Sequence, residues 1–211
     1  MEQKLIVFDL DGTLTPTSTW YALNMRLGIT PEEDTELFER YLKETMSYAE
    51  WMRELMELYR KNSPVTKSEI VAFAEHIELR PDAQQTIDAV KAKGYTPAII
   101  SGSVDIIIST IAQKLGIEIW FAKTNAVFNE KDELVNIETN GDGERDEKLR
   151  QLETYCQAHG LDIKEVLCVE DGGNGLELFK HAKGILFGDN PELVSLAWKQ
   201  VTTLSEIINV I

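Results

Sequence analysis

Positive charge is scarce in this sequence: 21 Lys and Arg stand against 36 Asp and Glu, for a formal net charge of -15. Nucleic acids and anionic membranes are held by clustered Lys and Arg that replace counterions, so neither is an expected partner. The same imbalance repels phosphate at long range. A phosphate site must therefore bring local positive charge from a metal, a lysine and backbone N–H groups. Cysteine is nearly missing; Cys156 in a helical pattern and Cys168 in an apolar run have no metal-ligand spacing and fit buried thiols in a reducing cytoplasm. No apolar stretch approaches the roughly 20 residues of a spanning helix, and Met1-Glu2-Gln3-Lys4 runs into the first strand with neither the apolar region nor the cleavage site of a leader. The expectation is a soluble, unexported cytoplasmic protein, monomer or homodimer. Apolar residues are not scarce: at 43% of 211 they can bury the core of one globular domain, with room for a sizeable insertion.

Within that frame, residues 5–15 are the most informative. Leu5 to Phe8 reads as a short buried strand, which places Asp9 and Asp11 at its C-terminal end, where open α/β sheets bind ligands. Residues two apart on a strand point to the same side. Two carboxylates held together either share a proton or bind a cation, and both arrangements suit acid/base or metal-assisted chemistry. The same letters also suit a strand ending in a solvated Asp-Gly turn, so the pair needs partners elsewhere.

The chain around it divides in two. From Pro16 to about residue 78, apolar residues recur at helical spacing (Trp20, Leu23, Leu27; Leu37, Tyr41; Tyr48, Trp51, Met52, Leu55, Met56, Tyr59), which predicts a small helical bundle. Pro31 starts one helix, Ser47 and Glu50 form a capping box for another, and Ser63-Pro64-Val65-Thr66 punctuates the next. From Asp82 the pattern alternates. Helices are predicted at 82–93, 104–115, 144–159 and 176–183, strands at 95–101, 117–122, 166–170 and 185–187, and a hairpin over 124–139 around Asn129-Glu130-Lys131-Asp132. Repeated β-α units imply a Rossmann-like α/β fold, a parallel sheet with helices on both faces. Residues 16–79 are then a helical cap inserted after the first strand, standing over the sheet edge that carries Asp9, and residues 1–15 with 80–211 form the core.

Other strand ends deliver further chemistry to that edge. Ser101-Gly102-Ser103 closes a strand just before a helix, where a hydroxyl and free N–H groups could hold anionic oxygens, or simply cap the helix. Glu170-Asp171 opens the glycine-rich turn Gly172-Gly173-Asn174-Gly175, which suits a hard-cation site or a surface turn. Lys148 is a lone base in a helix that begins Glu144-Arg145-Asp146-Glu147, a position that alone suggests only a solvated lysine.

Asp9-x-Asp11-Gly12-Thr13-Leu14-Thr15, then Ser101-Gly102, then Lys148, then Asp171 in an acidic glycine-rich turn resembles the haloacid dehalogenase superfamily from end to end. Within it the chain is most similar to the phosphoserine phosphatase group, whose helical cap lies between the first and second motifs; the stretch Gly116 to Ala122 and the hairpin flap after it belong to the likeness. The resemblance implies a Mg²⁺-dependent phosphatase acting on a small phosphorylated metabolite. By it, Asp9 is the nucleophile that becomes an aspartyl-phosphate, and Asp11 protonates the leaving oxygen and then activates water. Asp9, the backbone carbonyl of Asp11, and Asp171 would hold Mg²⁺, with Glu170 as an additional candidate. Gly12, Thr13, Ser101, Gly102 and Lys148 would line the phosphate site, with Ser101 on a transferring oxygen and Lys148 orienting Asp9. Dehalogenases of the superfamily lack the second aspartate, so Asp11 points to phosphate.

Three features depart from the group's pattern. Its metal turn reads Gly-Asp-Gly-x-x-Asp, whereas here Glu170 stands for the first glycine and Gly175 for the last aspartate, moving the second acid from after the turn to before it. The glutamate that reads the substrate amino group falls at Ser18, and the arginine that reads its carboxylate falls at Leu55, with Arg53 two positions away. Trp20, Tyr21, Tyr48 and Trp51 either line a more apolar pocket or are cap core. Two other classes share parts of the pattern. A response-regulator receiver has its phosphoacceptor on a later strand and no helical insertion, and a catalytically weak or silent member would only bind a metabolite or regulate.

Overall fold

The computed structural model describes residues 4–62, 64–141 and 143–211. Met1 to Gln3, read above as leading into the first strand, and Ser63, read as punctuation, lie outside the described residues. The elements follow as β1 (Lys4–Phe8), α1 (Thr19–Arg26), α2 (Pro31–Leu42), α3 (Tyr48–Asn62), α4 (Lys67–Glu75), α5 (Ala83–Ala92), β2 (Tyr95–Val104), α6 (Asp105–Lys114), β3 (Ile119–Phe128), β4 (Leu134–Thr139), α7 (Glu144–His159), β5 (Leu167–Glu170), α8 (Leu176–His181), β6 (Lys183–Phe187), β7 (Lys199–Val201) and α9 (Ile207–Val210).

Among the described residues, seven strands form one sheet in the order β4-β3-β2-β1-β5-β6-β7, parallel except for the β3–β4 pair. β1 is central and its apolar run is buried on both faces, as a doubly covered parallel strand requires. Ile6 and Phe8 belong to one core cluster, with Ile87 and Val90 of α5 and Ile107 and Ile111 of α6. Leu5 and Val7 belong to the other, with Leu152 and Cys156 of α7 and Leu178 of α8. The alternation of a strand thus serves two helix layers at once. Phe8 sits in register with Ile99 of β2 and Val169 of β5, so the residues that follow all three strands reach the same edge.

Among its described residues, the segment between β1 and α5 contains four helices and no strand. Its boundaries follow local chemistry: Thr30 and Glu33 form a capping box ahead of α2, Ser47 and Glu50 one ahead of α3, and Thr66 and Glu69 one ahead of α4. The aromatic and methionine stripe of α3 is buried inward. The segment meets the hairpin, where Leu134 N–H donates to Val65 C=O at 2.7 Å and Arg60 to Val135 C=O at 2.8 Å.

Several boundaries differ from those predicted. β1 stops at Phe8, so Asp9 and Asp11 lie in the turn beyond it, and the strand alternation invoked for them does not apply. β2 runs on past a register shift between Ser101 and Val104, and α6 starts only at Asp105; Ser101 is therefore on the strand, four residues before the helix. The short strand at 117–122 and the first hairpin arm are one ten-residue strand, β3. Its first half pairs parallel with β2 and its second half antiparallel with β4, and a run that changes partner midway shows no break in its own pattern. α8 ends at His181 and β6 begins at Lys183, because Lys183 pairs with Leu167 and the Phe179 ring fills the space beside Gly184. β7 and α9 were not foreseen; three and four residues are too few to show a period.

Candidate active site

Asp9 is held rigidly just past β1. Its Oδ1 accepts the Leu10 N–H at 2.7 Å, and its Oδ2 meets Lys148 Nζ at 3.0 Å and Asn174 Nδ2 at 3.3 Å. Asp9 and Lys148 are each about 1% exposed. Asp11 is placed by the start of α1: Thr19 donates its N–H to Oδ1 at 2.9 Å and its hydroxyl to Oδ2 at 3.1 Å. Burial first, and the charge of Asp9 second, outweigh those donors and push the Asp11 carboxyl up to about 7. A carboxyl balanced near neutrality can give and take a proton.

Asp171 follows β5 and turns toward the loop after Asp9. Gly12 has φ +81 and lies so close that a Cβ there would overlap the Asp171 carboxylate. The Thr13 hydroxyl donates to Asp171 Oδ1 at 3.4 Å, and Arg80 straps the same loop from behind, to Gly12 C=O at 2.6 Å and Thr13 C=O at 2.9 Å. Burial and the Asp9 charge raise the Asp171 carboxyl to about 6. Of the residues expected on phosphate, then, Gly12 makes room for Asp171 and Thr13 is turned toward it.

Ser101 is buried and accepts the Ser103 N–H at 3.2 Å. The carbonyl of Gly102 is fixed by Trp20 Nε1 at 3.1 Å, the Tyr48 hydroxyl at 3.4 Å and the Thr124 hydroxyl at 3.4 Å. Of the four aromatics considered above, Trp20 and Tyr48 therefore touch the site's backbone. Trp51 stacks with Tyr41 and packs edge-on against Tyr48, and Tyr21 is exposed.

Lys148, ordinary by itself, is the electrostatic centre. Besides Asp9 it donates to both oxygens of Glu170, at 2.9 and 3.1 Å, and approaches Glu144 at 4.0 Å. Burial pulls its pKa down, but the carboxylates of Asp9, Glu170 and Glu144 prevail and raise it, so it is a permanent cation. Glu170 is fully buried on Lys148 and so does not point into solvent; burial pushes its carboxyl well up against the pull of Lys148. Both Glu170 oxygens thus accept from the Lys148 ammonium.

Sequence reasoning missed Thr19, Arg80, Glu144 and Asn174. Asn174 lay inside a turn already singled out, and it donates to Glu144 at 3.0 Å as well as to Asp9. The Glu144 carboxylate rests on Gly102, where a Cβ would stand 2.5 Å from it. The substrate-reading positions carry no charge toward the site. Ser18 caps α1 by accepting the Tyr21 N–H at 3.2 Å, Leu55 is buried core, and Arg53 is exposed beside Glu50 at 3.6 Å.

Among the described residues, no three Asp, Glu, His or Cys side chains gather as a complete metal cage. The donor chemistry nevertheless fits a hard divalent cation. Asp9, Glu170 and Glu144 share the single ammonium of Lys148, the charge of Asp9 helps raise the carboxyls of both Asp11 and Asp171, and Asp9 and Asp171 offer carboxylate oxygens. Thr19 fixes the Asp11 carboxylate, and by the family resemblance the oxygen Asp11 would add is its backbone carbonyl.

Comparison with known proteins shows the family. The family model for haloacid dehalogenase-like hydrolases matches residues 3–183. The phosphoserine phosphatase of Methanocaldococcus jannaschii is 29% identical over 182 residues, 86% of this chain and 83% of that protein. The phosphoserine phosphatase of Archaeoglobus fulgidus is 27% identical over 93% of this chain and 56% of its own length. A solved phospho-aspartyl intermediate analogue of phosphoserine phosphatase superposes with a TM-score of 0.81 at 26% identity, covering 100% of both chains.

Proposed function

The chain belongs to the haloacid dehalogenase-like hydrolases, and from that membership and the site's geometry we propose that it is a Mg²⁺-dependent phosphomonoesterase working through Asp9. The observation that carries the reading is the buried Asp9–Lys148 pair beside an Asp11 carboxyl balanced at about 7. A carboxylate paired with an ammonium can attack phosphorus, while a neighbouring carboxyl that burial has raised to about 7 handles the proton.

In the first half-reaction an Asp9 carboxylate oxygen bonds to phosphorus as the ester P–O bond breaks, and protonated Asp11 gives its proton to the departing oxygen. In the second, Asp11 takes a proton from water, the water oxygen bonds to phosphorus, and the bond to Asp9 breaks to release inorganic phosphate. Lys148, the Ser101 hydroxyl and the backbone N–H groups near Gly102 stabilise the equatorial oxygens. Asp9, Asp171 and the Asp11 carbonyl would hold Mg²⁺, which when bound neutralises phosphoryl charge. Residues 16–79 act as a cap over this edge and residues 1–15 with 80–211 as the core, with the cap supplying Thr19 to Asp11 and Trp20 and Tyr48 to Gly102.

The substrate is a small phosphorylated metabolite. The relatives' name suggests phosphoserine, but neutral Ser18 and buried Leu55 offer no ionic partner for an amino acid's ammonium or carboxylate. A panel of phosphomonoesters that includes phosphoserine, assayed with Mg²⁺, tests both parts. Hydrolysis of p-nitrophenyl phosphate with weak use of phosphoserine is expected, and no hydrolysis of any ester overturns the reading.

A further inference from the structure

A lysine presents a compact charge on a flexible four-carbon stem, so charge alone does not aim it. Lys148 is aimed by Glu170, which receives the ammonium through both oxygens at 2.9 and 3.1 Å while Asp9 takes it at 3.0 Å. Glu170 is itself firmly mounted, as the last residue of β5 in register with Leu186 of β6.

Gly175 lies against the same side chain. A Cβ there would stand 2.5 Å from Glu170 Cγ and 2.7 Å from its carboxyl carbon. The backbone at 175 does not call for glycine, because its φ of -84° and ψ of 2° are open to any residue. The Glu170 side chain is what excludes a larger residue.

We propose that Glu170 is the positioning residue that holds Lys148 against Asp9, outside the cation-holding set, and that Glu170 and Gly175 form one interdependent pair. Because the two positions share one space, an acid at 175 opposite a glycine at 170 begins where the Glu170 side-chain stem now lies. The exchange should therefore rebuild the ion pair from the other side of the turn. This inference rests on the phosphatase reading of Asp9 and Lys148.

The test uses the full chain with Glu170→Gln, Glu170→Gly, Gly175→Asp and the double exchange, measuring melting temperature, kcat, KM and the Mg²⁺ dependence of p-nitrophenyl phosphate hydrolysis. Glu170→Gln, which keeps shape and loses charge, should lower kcat by roughly 10²-fold, the scale of a misaimed catalytic group, with KM and Mg²⁺ half-saturation little changed. Glu170→Gly and Gly175→Asp should each melt lower, and the double exchange should recover both stability and turnover beyond the sum of the singles. A Glu170→Gln enzyme with full kcat overturns the inference. So does one whose only change is weaker Mg²⁺ activation, which would make Glu170 a cation ligand, and so does a double exchange that melts at the additive value. Should the unmodified chain hydrolyse no ester, the phosphatase reading fails, and the melting cycle still decides whether the two positions are coupled.

Discussion

Lys148 Nζ lies 3.0 Å from Asp9 Oδ2, with both side chains about 1% exposed. Removing one member of a buried ion pair strands the other, at a cost of about 3–5 kcal/mol. Lys148→Met keeps the stem and loses the charge, leaving Asp9, Glu170 and Glu144 facing one another. The expected outcome is turnover near background and a melting temperature clearly below that of the parent, read by calorimetry. A variant as stable and active as the parent would show that the ammonium organises nothing.

Asp11 makes stability depend on pH in a definite direction. Its folded pKa, about 7, lies above the ordinary 3.8, so the folded chain retains a proton that the unfolded chain has released. Stability is thus undiminished below the unfolded value and falls as pH rises through about 7. Asp11→Asn removes that loss. In metal-free buffer the melting temperature of Asp11→Asn relative to the parent should rise from pH 5 to pH 8, each kcal/mol showing as about 2–4 °C for a chain of this size. A difference that stays constant across that range would contradict the burial of this carboxyl.

Gly12 combines φ +81 with an Asp171 carboxylate in the space of a Cβ. Gly12→Ala should therefore destabilise the chain by about 1–3 kcal/mol from backbone strain, with displacement of Asp171 in addition. Isothermal calorimetry should show weaker Mg²⁺ binding as well. Unchanged melting and unchanged Mg²⁺ affinity together would contradict the close approach.

Glu144 lies on Gly102, accepts from Asn174 at 3.0 Å and stands 4.0 Å from Lys148, all groups suited to phosphoryl oxygens. A carboxylate there competes with an incoming anion. Glu144→Ala should bind inorganic phosphate more tightly than the parent, by about tenfold if about 1.4 kcal/mol of repulsion is removed. Equal or weaker phosphate binding would contradict competition.

Much of the architecture was legible because buried strands and amphipathic helices leave periods in the sequence, as Leu5 to Phe8 and the α3 stripe show. The capping boxes at Thr66 and Ser47, and Gly160 in the left-handed conformation after α7, are local chemistry that needs no tertiary context. Elements shaped by partners were less legible: β3 changes neighbours midway, and β6 starts where Lys183 finds Leu167. In the site, Asp9, Asp11 and Asp171 were marked by glycine-bounded strand ends. Thr19, Arg80 and Glu144 carry no such mark: Thr19 is an ordinary first residue of α1, eight positions after Asp11, and Arg80 and Glu144 reach the site by long-range approach. The contact between Glu170 and Lys148 was not legible either, since the two lie 22 residues apart.

The most direct measurement is mass spectrometry of peptides from enzyme acid-quenched during turnover of a phosphomonoester with Mg²⁺. One added phosphoryl group on the peptide that contains Asp9, absent from Asp9→Asn, is the expected result. Full turnover by Asp9→Asn, or a phosphoryl group on any other residue, would contradict the assignment of Asp9 as the nucleophile.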